Sequence, residues 1–124
     1  MKKYCATVTG IGKDALRLID NGLCIIFNNN APAALADLSV QHTIETLKAD
    51  VCAGDTVKLG GGTYKVLEVG SEANRTLLEL GHCSMWLHDT STGEKYRECL
   101  PGYIVLDCVK KPMPAVGQTI EIDG

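Results

Sequence analysis

Apolar residues along this chain fall into short runs, most of them closed by glycine. Over residues 3–9 apolar and polar positions alternate, with β-branched and aromatic side chains among them, and Gly10 and Gly12 follow; this is the pattern of a half-buried strand. Residues 23–27 are continuously apolar, as in a strand covered on both faces. Between the two, residues 15–20 run into Asn21-Gly22, which fits either a strand leading into a tight hairpin or a single helical turn with Gly22 as its C-cap. Residues 39–47 alternate again and put Val40, His42 and Ile44 on one face. Residues 57–59 and 64–69 flank Gly60-Gly61-Gly62 and read as a hairpin, and further strands are predicted over 83–87, 103–109 and 119–122.

Two segments interrupt this pattern with helical spacing. Residues 30–38 carry Pro32 in a first turn with alanines and leucines behind it. Residues 71–80 are the better helix, with Ser71 as N-cap, Glu72 in the first turn, Ala73, Leu77 and Leu80 on one stripe, and Gly81 at C′. Pro112 and Pro114 end the penultimate strand region. About seven short strands, two short helices and no alternating βαβ pattern predict one all-β domain over residues 1–124, a small barrel or sandwich.

Composition narrows the function classes. At 124 residues with 45% hydrophobic and 22% charged side chains, the chain can bury one core and fits neither a disordered nor a fibrous class. A net charge of −3, with one Trp, one Phe and four Tyr, argues against nucleic acid as a partner, which would call for surplus Lys and Arg and for stacking surfaces. No apolar span approaches the roughly 20 residues of a membrane helix. The basic start Met1-Lys2-Lys3-Tyr4 meets Lys13, Asp14 and Arg17 before any apolar signal-peptide region forms, so a cytoplasmic location is expected and the Asn74-Arg75-Thr76 sequon has no consequence. In that compartment the six cysteines read as reduced thiols. They form no CxxC, and Cys5, Cys24, Cys83 and Cys108 lie in apolar runs as small core residues.

The chain has no GxSxG, no HExxH and no dinucleotide fingerprint, and no Gly-Lys-Ser/Thr follows the glycine run as a P-loop would require. Candidates reduce to the histidines. His82 and His88 share one side of a strand with Ser84 and Trp86 between them, roughly 20 Å apart at about 3.3 Å per residue, too far to share a metal. His88, beside Asp89 at the strand's end, reads as a solvated residue. His42 sits mid-strand among apolar neighbours. It is either a core histidine held by a backbone carbonyl, or a nucleophile: a neutral imidazole with one nitrogen exposed and the other fixed by an acceptor.

The segment Phe27-Asn28-Asn29-Asn30-Ala31-Pro32-Ala33-Ala34-Leu35-Ala36-Asp37, followed by Val40-Gln41-His42, resembles the glucitol/sorbitol-specific IIA component of the bacterial sugar phosphotransferase system. Thr9-Gly10-Ile11-Gly12, Val69-Gly70-Ser71, Leu78-Glu79-Leu80-Gly81-His82 and Pro112-Met113-Pro114 onward through Gly117 to Ile120 extend the likeness over nearly the whole chain. The resemblance implies a phosphocarrier that takes a phosphoryl group from the histidine-containing phosphocarrier protein and passes it to a cysteine on the IIB part of the IIB/IIC membrane permease, for glucitol/sorbitol uptake. It places the phospho-acceptor on His42 and lets His82 line the same site as a second histidine, with no cofactor, no metal and no membrane span of its own. A donor and an acceptor that both reach His42 imply a shallow, exposed rim around it. Arg17, Arg75 and Arg97 are the candidate cations for the phosphoryl group, and unpaired barrel edges would favour a homodimer. Two other classes compete: a non-catalytic β-barrel binding module with His42 as a structural core histidine, and a metal site built from His42, His82 and a cysteine.

Overall fold

A computed structural model describes residues 1–96 and 98–124; Arg97, one of the candidate cations, lies outside the described residues. In chain order the elements are β1 (Lys2–Ile11), α1 (Ala15–Asp20), β2 (Leu23–Asn28), α2 (Ala33–Ala36), β3 (Ser39–His42), β4 (Thr56–Leu59), β5 (Gly62–Val69), α3 (Ala73–Leu80), β6 (Cys83–His88), β7 (Tyr103–Asp107) and β8 (Thr119–Asp123). The strands close into a barrel in the order β1-β3-β2-β6-β7-β5-β4-β8, so the barrel is realised rather than the sandwich. It has eight strands where the pattern predicted about seven. Every strand has two neighbours, and the open edge that would have favoured a homodimer is gone.

Local chemistry explains where the elements differ from expectation. The open choice at residues 15–20 resolves to a helix, with Ala15 and Ile19 buried. The strand predicted over 39–47 stops at His42. There the Thr7 amide donates to the Thr43 hydroxyl at 3.0 Å instead of continuing the ladder, and Ile44 turns out to solvent, 60% exposed, rather than sharing the buried face of His42. At α3 the N-cap position falls on Glu72, which makes no side-chain cap bond, and the carbonyls of Pro101 and Gly70 take the Glu72 and Ala73 amides. Ser71 is therefore not the cap, and Leu80 is exposed, leaving Ala73 and Leu77 as the buried stripe. Two strand pairs, β2–β3 and β6–β7, are parallel. The first is joined through α2, a crossover of only four helical residues and too short to show as a βαβ pattern.

The barrel is built from two interlocked halves. Exchanging β1, β2, β3 and β4 for β5, β6, β7 and β8 returns the same closed ring, and α1 corresponds to α3. The registers agree as well. Ile26 faces Val40 as Met85 faces Ile104, and a bulge between Val8 and Gly10 has its counterpart between Val66 and Glu68. The Gly12 amide donates to Ser39 at 2.9 Å and the Gly70 amide to Tyr103 at 2.7 Å. A Cβ on Gly12 would stand 2.2 Å from the Ala36 carbonyl oxygen, and one on Gly70 2.2 Å from that of Leu100. Even the surface pairs repeat: Asp14 with Arg17 at 3.1 Å, Glu72 with Arg75 at 2.9 Å. Alternate residues of all eight strands fill the interior, among them Val8, Ile26, Val40, Val57, Val66, Met85, Ile104 and Ile120.

Candidate functional site

At one pair of positions the two halves differ in polarity. In the parallel β6–β7 pair Leu87 stands opposite Leu106; in the matching β2–β3 pair Asn28 stands opposite His42. One half thus closes its barrel end with two leucines, the other with a carboxamide and an imidazole. Both polar side chains are buried, His42 at 0% exposure and Asn28 at 6%. Burying an unpartnered amide costs about 1–3 kcal/mol, so packing alone does not account for the exchange.

The His42 ring lies between two backbone carbonyls. Its Nδ1 is 2.8 Å from the oxygen of Thr43 and its Nε2 is 2.8 Å from that of Gly81. A neutral imidazole carries one N–H and can serve just one of them. The Tyr4 ring meets the imidazole edge-on at a centroid distance of 5.9 Å. The Tyr4 hydroxyl is buried without a hydrogen-bond partner among the described residues, and burial, with Cys83 and Glu45 adding to it, pushes that phenol far above its ordinary range.

Gly81 forms the roof. It ends α3 in the left-handed conformation at φ 61°, its amide returning to Leu77 at 3.0 Å and that of His82 to Thr76 at 3.2 Å. A Cβ there would stand 2.0 Å from Asn28 Oδ1 and 2.7 Å from His42 Cε1, so only glycine fits over the pair. Asn28 Oδ1, pressed against Gly81, has no hydrogen-bond donor among the described residues.

His82 follows directly on this roof and is half-buried. Its Nδ1 is 3.0 Å from the Ile26 carbonyl, its ring leans on Phe27 at 4.8 Å, and its Nε2 makes no hydrogen bond to the described residues. The structure therefore brings His42 and His82 to one junction, where β2, β3 and the turn from α3 into β6 meet. His88 stays apart at the far end of β6, its Nε2 2.9 Å from the Glu94 carbonyl.

Several site expectations change. The exposed rim around His42 is absent in this state, because the Gly81 peptide covers the ring. An imidazole with one nitrogen fixed and the other free describes His82 rather than His42. Arg17 and Arg75 are engaged with acidic neighbours on their own helices. Cys24, Cys83 and Cys108 are buried thiols as expected, but Cys5 is exposed because Tyr4 and Ala6 take the inward positions of β1. Among the described residues no group of three or more His, Cys, Asp or Glu could hold a metal, so the His42–His82–cysteine metal site is not assembled. Asn28, Tyr4 and Gly81 join the site only in the folded protein; Asn28 lies in the segment Phe27–Asp37 and Gly81 directly before His82 in the segment Leu78–His82.

Known proteins of one family match this chain. A family profile described as the PTS system glucitol/sorbitol-specific IIA component matches residues 3–121. The PTS system glucitol/sorbitol-specific EIIA component of Escherichia coli (strain K12) is 35% identical over 82 residues, covering 66% of this chain and 67% of that protein. The component of the same name from Shigella flexneri is 35% identical over the same share. The crystal structure of a PTS system IIA component from Enterococcus faecalis V583 shares the fold with a TM-score of 0.84 and 27% identity, over 98% of this chain and 100% of that one. No helix among the described residues is long and apolar enough to cross a membrane. On the profile match over residues 3–121 and the 35% identity to the curated component, the chain belongs to the glucitol/sorbitol-specific IIA component family of the phosphotransferase system.

Proposed function

We propose that this chain carries a phosphoryl group on His42, taken from the histidine-containing phosphocarrier protein and handed to a cysteine of the IIB component during glucitol/sorbitol uptake. One observation carries the assignment to His42. A buried imidazole stands where the other half of the barrel has Leu106, with Nδ1 fixed at 2.8 Å on Thr43. A proton held on Nδ1 by that carbonyl leaves the lone pair on Nε2 as the nucleophile.

The Gly81 carbonyl now opposite Nε2 has to turn away first, and a glycine at the end of α3 has the backbone freedom to do so. In the first transfer the donor's P–N bond breaks as a P–N bond to His42 Nε2 forms, and the departing imidazole keeps its electron pair. In the second, attack by the acceptor thiolate forms a P–S bond and releases Nε2 again. Neither step consumes water or a nucleotide. Positioning and stabilisation of the charge on the phosphoryl oxygens supply the catalysis. Ile44, at 60% exposure just after the acceptor strand, and Leu80, at 43% just before the roof, offer apolar anchors for brief docking of both partners.

Incubation with phosphoenolpyruvate, enzyme I and the phosphocarrier protein should deposit an acid-labile, base-stable phosphate on wild type and none on His42→Ala. A second reading places the acceptor on His82, favoured by its unencumbered Nε2. Label that survives His42→Ala and disappears in His82→Ala would select it. No label on wild type would leave the non-catalytic binding module, with His42 as a core histidine.

A further inference from the structure

We propose that Asn28 is a catalytic residue of the carrier, its carboxamide donating a hydrogen bond to a phosphoryl oxygen while the group sits on His42. The inference rests on phosphoryl carriage by His42 and adds the group that receives the phosphoryl oxygens.

Three observations carry it. Asn28 is the register partner of His42 across the parallel β2–β3 pair, and Asn28 Oδ1 and His42 Cε1 lie within 2.0 and 2.7 Å of the single point where a Cβ on Gly81 would stand. The carboxamide and the ring are thus neighbours under one roof. Next, Asn28 is 94% buried by its 6% exposure, yet its Oδ1 has no donor among the described residues. A carboxamide kept so has unspent hydrogen-bonding capacity at the place where Nε2 would be phosphorylated. Finally, the barrel does not need an amide there. The equivalent residue of the other half is Leu87, facing Leu106, and the equivalent of Gly81 is Gly22, where a Cβ would meet only the Leu87 carbonyl oxygen at 3.7 Å. Amide, imidazole and tight roof occur together in one half and are absent together from the other.

Rotation of the amide by about 180° about its last side-chain bond exchanges Oδ1 for Nδ2–H, because the two ends of a carboxamide differ in little but hydrogen-bonding sense. Displacement of the Gly81 carbonyl on phosphorylation opens the space, and Nδ2–H then faces an oxygen carrying the charge that spreads over the phosphoryl group in transfer. A neutral donor suits a carrier better than a cation would. It lowers the barrier without holding so tightly that the group fails to move on.

The test compares Asn28→Leu, which installs the other half's residue in nearly the same volume, with Asn28→Asp, which keeps the shape and adds negative charge. Each is measured for the rate of phosphoryl transfer from the phosphorylated donor protein, for the lifetime of the phosphohistidine, and for thermal melting. Asn28→Leu should melt no lower than wild type yet accept phosphoryl about 100- to 1,000-fold more slowly, the loss expected for one oxyanion donor. Asn28→Asp should be slower still and shorten the lifetime of the phosphorylated form. Wild-type transfer rates in a folded Asn28→Leu overturn the proposal. Wild-type rates in Asn28→Asp overturn it equally, should the leucine variant fail to fold. Labelling of His42→Ala instead would bring down the reading of the acceptor itself, so the two failures are told apart.

Discussion

Replacing Gly81 by alanine separates two costs that the fold itself provides a way to compare. Gly81 and Gly22 occupy equivalent places in the two halves, and both have positive φ, 61° and 94°. An L-residue in the left-handed conformation costs roughly 1–2 kcal/mol, and this applies to both. At Gly22 the new methyl would have its nearest neighbour, the Leu87 carbonyl oxygen, at 3.7 Å, an ordinary contact. At Gly81 it would stand 2.0 Å from Asn28 Oδ1 and 2.7 Å from His42 Cε1, so the carboxamide and the ring must both move. Overpacking of this kind adds about 1–3 kcal/mol. Gly22→Ala should therefore lose about 1–2 kcal/mol and Gly81→Ala about 2–5 kcal/mol, read as the shift of the urea midpoint at constant slope. Adding Asn28→Ala to Gly81→Ala should recover about 1 kcal/mol or more of the loss, since the methyl then fills the space the amide vacates. A Gly81→Ala variant no less stable than Gly22→Ala would refute the close approach of roof, amide and imidazole.

The thiols should sort by burial. Burial pushes the Cys24 thiol up to about 12 and raises that of Cys83 strongly as well, so near pH 8 Ellman's reagent should modify the exposed Cys5 and Cys52 in the native protein and reach Cys24 and Cys83 only on unfolding. Rapid native modification of Cys83 would contradict its place in the core. Burial alone would raise the Asp55 carboxyl, but the Lys3 ammonium at 2.7 Å and the Cys52 amide at 2.8 Å outweigh it and hold Asp55 below its ordinary value. A carboxyl lowered in the folded state contributes stability that is present above its unfolded value and lost as pH falls through the folded one. Denaturation followed from neutral to acid pH should accordingly show wild type losing its advantage over Asp55→Asn, and an advantage that persists at the acid end would count against the pairing.

Much of this barrel could be read along the chain because its strands are short and glycines end them. The Gly81 stop of α3 was legible from one residue, as was the hairpin around Gly60-Gly61. Cys5 was misjudged although the period of two placed it outward, between Tyr4 and Ala6. What stayed hidden is what depends on distant partners. His42 is covered by the carbonyl of a residue 39 positions away, and no local pattern carries that. The internal repeat was hidden as well, because the halves conserve bulges, registers and close contacts rather than residues; where they matter most, Asn28 and His42 answer to Leu87 and Leu106. The histidines were what remained once other motifs were absent, but the acceptor role of His42 came from resemblance, since alternation alone left His42 open between core and nucleophile.

The interlocking of the halves also decides how the chain can come to be folded. β4 belongs to the first half by sequence, yet both its neighbours, β5 and β8, lie in the second; β8 in turn pairs with β1 and β4 of the first. Neither half can complete a sheet by itself, and closure brings Lys2 opposite Asp123. The loop entropy of that contact has to be met before the barrel returns any of it, which makes folding slow and all-or-none rather than stepwise by halves. A ring whose seam pairs its first strand with its last sets the Asn28–His42 end of the barrel only when both halves are in place.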